Sequence, residues 1–260
     1  TAAAIFHLLA QDDRYLDAPP GERAHLLAEI SKRAFADRQL WTDGGNVTPL
    51  DLARLEASMT SYAPGRATAA DTLTPKPGRR LENPAATSFV TLDRTGLAVA
   101  CGVTMNNLFG TGRVVPGTGI ILAASPTAAG NASASLAPVL VVNNNTSQVF
   151  FAAGSVGGAA APAALSVVMR AALLENATLR QAVGVPRLHH GGAPDTVLIE
   201  PDFPADGQAG LQQRGHKLGT VEEIGRTNAI HCPGGAPRSL ETCAFATDPR
   251  GFGLASGGEF

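Results

Sequence analysis

The backbone of Gly154-Ser155-Val156-Gly157-Gly158, between a predicted strand and a predicted helix, could hold an oxyanion or a carboxylate. The same glycines also fit a turn that lets strand and helix pack closely, so both readings stand. Hydroxyl and amide groups gather elsewhere, at the two ends of one predicted hairpin: Thr87 and Ser88 open its first strand, and Thr104, Asn106 and Asn107 end its second. Threonine is common in strands, so the crowding alone fixes no chemistry. The stretch Pro84 to Gly119 is nevertheless where a site is placed. His189 and His190 are adjacent and would point to opposite sides of an extended segment, which favours a structural role over a shared metal. Asp248-Pro249-Arg250-Gly251 reads as a turn whose arginine pairs with a carboxylate. No Ser-His-Asp set can be picked out by spacing, because such triads are spatial. The glycine run lacks the spacing of a dinucleotide fingerprint.

These groups need elements to hold them. Ile5, Leu8, Leu9, Leu26, Leu27, Ile30, Ala34 and Phe35 fall at helical spacing, with Pro19, Pro20 and Gly21 separating two helices. Residues 48 to 61 predict another helix, capped by Thr48 with Pro49 in its first position. Residues 63 to 84, rich in proline and polar side chains, predict a surface linker. The period then changes to two, giving strands over 88–92 and 97–103 around a turn at Asp93-Arg94-Thr95-Gly96. Further strands are predicted at 138–143 and 147–153, with Asn144, Asn145 and Thr146 between them. Helices follow at 159–174 and about 177–184, then short strands near 196–199 and 241–247 flanking a helix at 206–215. The order predicts a layered α+β domain, since a doubly wound parallel sheet would need regular alternation.

Composition narrows the partners. The 260 residues carry 20 Lys plus Arg against 22 Asp plus Glu, a net charge of −2, so no basic field invites nucleic acid. The uncharged run from Val149 to Met169 is broken by Gly154, Gly157, Gly158 and Pro162, and reads as strand, turn and helix instead of a membrane span. Cys101, Cys232 and Cys243 show no paired spacing and are expected to be small buried thiols. No metal or cofactor is implied. Thr1 to Leu9 has no basic leader and reads as the interior of a helix.

Four motifs in register, TMNNLFGTG (104–112), GSVGG (154–158), VPRLHH (185–190) and TDPR (247–250), resemble the γ-glutamyltransferases, or glutathione hydrolases, of the N-terminal nucleophile (Ntn) hydrolase superfamily. Upstream, HLLAEISKRAFADRQLW (25–41) resembles the last long helix of that family's large subunit. The resemblance covers essentially the whole chain. It implies a four-layer αββα sandwich with mainly antiparallel sheets, in which residues 1–85 are the end of the large-subunit region plus a linker and residues 86–260 the small-subunit region, together one structural domain. It also implies an N-terminal portion of the large subunit beyond this sequence.

In that family the precursor cuts itself before a threonine, whose hydroxyl becomes the nucleophile and whose freed amine is the base. A γ-glutamyl or related acyl group then passes through a threonine ester to water, an amino acid or a peptide. The resemblance gives Thr104 the role of orienting the nucleophile, Asn106 and Ser135 contacts with substrate, and Gly157 and Gly158 the oxyanion hole. The nucleophile position itself is open. A three-residue turn Arg94-Thr95-Gly96 sets Ala86 opposite Thr104 and keeps the family's spacing. A two-residue turn sets Thr87 against Gly102 and needs one residue deleted from the strand. With Ala86 in the position, the chain would be an uncut or catalytically silent form, a zymogen-like state that binds only ligand or partner. A second departure follows Gly119-Ile120-Ile121-Leu122: AASPTAAGNASAS offers no carboxylate for a substrate ammonium, and Ala134-Ser135 leaves one hydroxyl of the usual pair. That loss would weaken a γ-glutamyl substrate by roughly 1.5–3 kcal/mol. A periplasmic or secreted location goes with the family, a cytoplasmic one and a homo-oligomer being left open.

Overall fold

The computed structural model describes residues 1–41, 50–76, 85–125 and 136–257. In chain order, helices α1 (Ala2–Ala10), α2 (Arg14–Asp17), α3 (Pro20–Trp41) and α4 (Leu52–Ala57) come first. Strands β1 (Ala86–Leu92), β2 (Ala98–Thr104), β3 (Ala137–Val142) and β4 (Val149–Val156) follow, then α5 (Ala161–Met169) and α6 (Leu179–Gly184). The remainder is β5 (Leu188–His189), β6 (Val197–Ile199), α7 (Ala205–Gln213), β7 (Leu218–Thr220), β8 (Arg226–Ala236) and β9 (Ala244–Ala246). The architecture is α+β, and among the described residues every strand pairing except β6 with β7 is antiparallel.

The chain folds into two compact units, Thr1–Arg80 with Pro186–Ile224, and Leu81–Val185 with Gly225–Phe260. This grouping differs from a single division at residue 85, because Pro186–Ile224 packs with the N-terminal part.

Unit 1 is built on α3. Pro20 starts the helix, where its missing N–H costs nothing, and Glu22 lies in the first turn. Leu26, Ile30, Ala34 and Phe35 are buried, and so are His25, Glu29, Lys32 and Arg33, so this helix is covered on more than its apolar face. Asp51, not Thr48, caps α4, accepting from Arg54 N at 2.9 Å. Thr48 and Pro49 lie outside the described residues. The predicted surface linker is partly docked: Ala67 N donates to Arg214 O, Ala70 N to Asp195 Oδ2, and Ala70 and Leu73 are buried. Residues 77–84 of the predicted linker lie outside the described residues.

Unit 2 is a layered sandwich. The β1–β2 hairpin faces a four-stranded sheet in the order β3-β4-β8-β9, with α5 and α6 packed against that sheet. These are β, β and α layers of the expected sandwich. The outer face of the hairpin is open, with Phe89, Val99 and Val103 exposed by 43–49%. The predicted helix 159–174 is α over Ala161–Met169 and widens to a π turn over Arg170–Leu174.

One expectation fails here, and one element was not expected. Cys232 and Cys243 form a disulfide between β8 and the turn before β9, while Cys101 is free. Their eleven-residue separation carried no recognisable spacing. Strand β8 was not anticipated, yet it pairs with both β4 and β9 within the sheet.

Candidate active site

The hairpin register decides what stands where. Asp93 Oδ1 accepts from Thr95 N and Leu97 N, and Gly96 takes a φ of +87°, which closes a three-residue turn. Leu92 therefore pairs with Ala98, and at the open end Ala86 pairs with Thr104. Thr87 pairs with Val103. Alternation then separates the two candidates. Ala86 shares a face with Ser88, which is buried, whereas Thr87 shares the exposed face of Phe89.

Ser88 fastens β1 to the second sheet. Its Oγ donates to Gly154 O at 2.9 Å, and Asn228 Nδ2 donates to Ser88 O at 3.1 Å. The sheets approach so closely at this point that a Cβ on Gly154 would lie 2.8 Å from Ser88 Cβ. The hairpin's turn end abuts Pro237, next to Ala236, which pairs with Val149 at the start of β4. Its open end abuts Leu136, next to Ala137, which pairs with Ser155 near the end of β4. Ala86 and Thr104 thus lie at the same end of the sandwich as Gly157 and Gly158.

The glycine turn is glycine for a backbone reason. Gly157 has φ +129° and Gly158 φ +64°, and a Cβ on Gly157 would be 2.5 Å from Gly225 Cα. The turn leads through a short 3₁₀ segment, Gly158–Ala160, into α5. Backbone amides at such a helix entrance are suited to developing negative charge.

Thr104 makes the contact with the clearest chemical meaning. Its Oγ1 donates to the carbonyl oxygen of Ala85 at 3.0 Å, and Met105 N donates to the same oxygen at 2.8 Å. Two donors therefore converge on the carbonyl of the Ala85–Ala86 peptide. Asn106 N donates in turn to Thr104 Oγ1 at 3.0 Å, fixing the hydroxyl's direction. The buried Asn106 side chain donates to Ala124 O at 2.6 Å, and its backbone holds φ +61°. Ser135 lies outside the described residues.

A network behind the strand went unnoticed in the sequence. Asp248 Oδ2 accepts from Thr227 N, Oδ1 accepts from Arg250 N, and Asp248 N donates to Asn228 Oδ1. Arg250 pairs with Asp248 as the turn predicted, and also donates to the carbonyls of Val183 and Val185 that end α6. Asn228, which holds Ser88, belongs to the unpredicted β8. A groove of about 560 Å³ runs beside β1, lined by Thr87, Ser88, Asn228, Phe245 and Thr247 among others, but not by Ala86, Gly157 or Gly158.

Comparison with known proteins identifies the family. The family model described as Gamma-glutamyltranspeptidase matches residues 3–258. The glutathione hydrolase proenzyme of Pseudomonas aeruginosa is 28% identical, the match covering 94% of this chain and 48% of that protein. That of Escherichia coli is 26% identical, covering 79% of this chain and 40% of that protein. The chain thus spans less than half the length of these curated relatives. Among solved structures, a variant of the Helicobacter pylori gamma-glutamyltranspeptidase is 26% identical with a TM-score of 0.52, covering 64% of this chain and 100% of that one. A cephalosporin acylase from Bacillus halodurans, at 22% identity, shares the fold over 96% of this chain and 47% of that one, with a TM-score of 0.69. With the family model matching nearly end to end, the chain belongs to the gamma-glutamyltranspeptidase family.

Proposed function

We propose that this chain carries the acyl-transfer site of a γ-glutamyl transferase or hydrolase with residue 86 as its nucleophile position, and that alanine there keeps it uncut and catalytically silent while still able to bind an acyl ligand. The observation that carries this reading is the pair of donors, Thr104 Oγ1 and Met105 N, on the Ala85 carbonyl. That carbonyl is the one a hydroxyl at residue 86 would attack in self-cleavage, and polarising it favours a tetrahedral oxyanion. Attack would form the Oγ–C bond and break the C–N bond between residues 85 and 86, the hydroxyl proton passing to the leaving amine; water would then cleave the resulting ester, releasing residue 85 as a carboxylate and restoring the hydroxyl of residue 86 beside its free amine. The amine would then serve as base for the same hydroxyl.

In the acyl-transfer step the hydroxyl would attack a γ-glutamyl or related acyl carbonyl, with Gly157 and Gly158 amides receiving the oxyanion and Asn106 contacting the donor. Water, an amino acid or a peptide would take the acyl group from the ester. Alanine has no hydroxyl, so neither covalent step can begin.

The other reading makes Thr87 the nucleophile. It has the hydroxyl, but it pairs with Val103 and shares the exposed face of Phe89, so it would need the strand to slip by one residue. The open outer face of the hairpin supports a further partner, the N-terminal portion of the large subunit, which would cover Phe89, Val99 and Val103.

Hydrolysis of γ-glutamyl-p-nitroanilide by the whole protein, with and without Ala86→Thr, tests the proposal. Activity only in the variant supports residue 86. Equal activity in both, lost on Thr87→Ala, would transfer the role to Thr87.

A further inference from the structure

Helix α3 carries His25 and Glu29 one turn apart, so both side chains leave the same face of the helix. Both are fully buried at 0% exposure. The segment after α7 brings His216 onto that face, with Nε2 at 2.8 Å from His25 Nδ1 and 3.9 Å from Glu29 Oε1. One donor atom from each of the three residues lies within 4.8 Å of the other two. These residues all belong to unit 1.

The ring protons follow from the partners. His25 Nε2 is 2.9 Å from the carbonyl of Ala63, which can only accept, so Nε2 carries the proton and Nδ1 presents a bare lone pair. His216 Nε2–H currently fills it. Tyr62 stacks on His25 at 5.4 Å and His190 meets the edge of His216 at 6.1 Å, so both rings are held in orientation. A histidine whose far nitrogen donates to a backbone carbonyl is the usual support of a metal ligand.

We propose that His25 Nδ1, His216 Nε2 and Glu29 Oε1 form a binding site for a borderline divalent transition-metal ion of the zinc class. Two imidazoles and a carboxylate leave a fourth position open and suit zinc, whereas magnesium and calcium prefer sets of oxygens. Tetrahedral bonds of about 2.0–2.1 Å would place the donor atoms roughly 3.3 Å apart. The imidazoles must therefore separate slightly and the carboxylate draw in. On binding, His216 changes tautomer, its proton moving from Nε2 to Nδ1, so no proton is gained or lost.

The ion has a competitor. Lys32 Nζ lies 2.6 Å from Glu29 Oε1, Thr68 N donates to that oxygen at 3.0 Å, and Arg33 holds Oε2. Lys32 also donates to the carbonyl of Thr68, which it can keep as the ion displaces it from the carboxylate. Arg33 is anchored besides by Ser58 O, Ser61 Oγ and Thr68 Oγ1, and stays. No local motif announces the set, because His216 is 191 residues from His25.

The test uses the whole chain, stripped with a chelator and titrated with Zn²⁺, with Co²⁺ as a spectroscopic probe and Mg²⁺ as control. The expected result is one Zn²⁺ per chain with a raised Tm, and Co²⁺ bands in the visible characteristic of tetrahedral coordination. His216→Gln, whose amide can still donate to His25 but cannot bind zinc well, should lose affinity by about 100-fold while keeping the metal-free Tm. Lys32→Met should bind about tenfold tighter, because a competing cation is gone. Absence of a Zn²⁺-dependent Tm shift and of Co²⁺ bands in the unaltered chain overturns the proposal. So does a shift undiminished in His216→Gln, or a Lys32→Met chain that binds no tighter.

Discussion

Unit 1 and unit 2 use polar groups in opposite ways. In unit 1, α3 buries Glu29, Lys32 and Arg33, and the three are joined to each other and to the loop 58–68. Burial would raise the Glu29 carboxyl, but Lys32 and Arg33 outweigh it and hold it at about 2. Unit 2 builds its candidate site from backbone: a register, two left-handed glycines, a strained Asn106 and carbonyls held by hydroxyls. The contrast separates stability from chemistry. The first unit is held by buried charge, whereas the candidate site of the second rests on backbone geometry and short side chains.

The largest effect should come from Glu29→Gln, which leaves two buried cations short of their counter-charge. A loss of about 3–5 kcal/mol in denaturant unfolding is expected, and a change within experimental error would show that the charges of unit 1 are not structural. Acid should act on the same unit. Burial, and secondarily His190, lowers His189 to about 3, and burial lowers His190 as well. A histidine whose folded pKa lies below the unfolded value of about 6.5 is destabilising in acid, because the unfolded chain binds the proton first. Stability should therefore decline as pH falls from about 6.5 towards 3, with a slope approaching 1.4 kcal/mol per unit for such a histidine. Asp195, held at about 2 beside His190, adds to the loss below its ordinary range. Unfolding curves across that window measure it, and a flat profile would contradict the buried neutral His189.

Smaller effects test unit 2. Gly154→Ala would push a Cβ to 2.8 Å from Ser88 Cβ between two sheets, and should cost about 1–3 kcal/mol. Thr104→Val, which loses the hydrogen bond to Ala85 O, should cost about 1 kcal/mol. Thr87→Val, on the exposed face, should stay within about 0.5 kcal/mol. If Thr87→Val proved as costly as Thr104→Val, the two faces of β1 would not differ as described.

Much of this was legible in the sequence, for physical reasons that differ along the chain. Alternation over 88–92 and 97–103 indicated β1 and β2, because one face of the hairpin is more covered than the other. The Asp93 to Gly96 turn left two registers open, and only the Asp93 side-chain hydrogen bonds to Thr95 and Leu97 select the one with three turn residues. Strand β8 was hidden by Pro233, Gly234 and Gly235, and with it Asn228 and the disulfide of Cys232. The burial of Glu29, Lys32 and Arg33 on α3 could not be read from the helix alone, because it depends on contacts with Ser58, Ser61 and Thr68. His216 could not be joined to His25 by any local spacing. At Thr48 and Pro49 an expected cap gave way to Asp51, two residues past that proline, whose side chain reaches Arg54 N.

The central claim is that residue 86 is the nucleophile position. Mass spectrometry of the whole protein carrying Ala86→Thr, after prolonged incubation, tests it most directly. Cleavage between residues 85 and 86, absent from the unaltered chain and abolished again by adding Thr104→Val, is the predicted result. An Ala86→Thr protein that stays intact, or an unaltered chain that splits between Ala86 and Thr87, would contradict it.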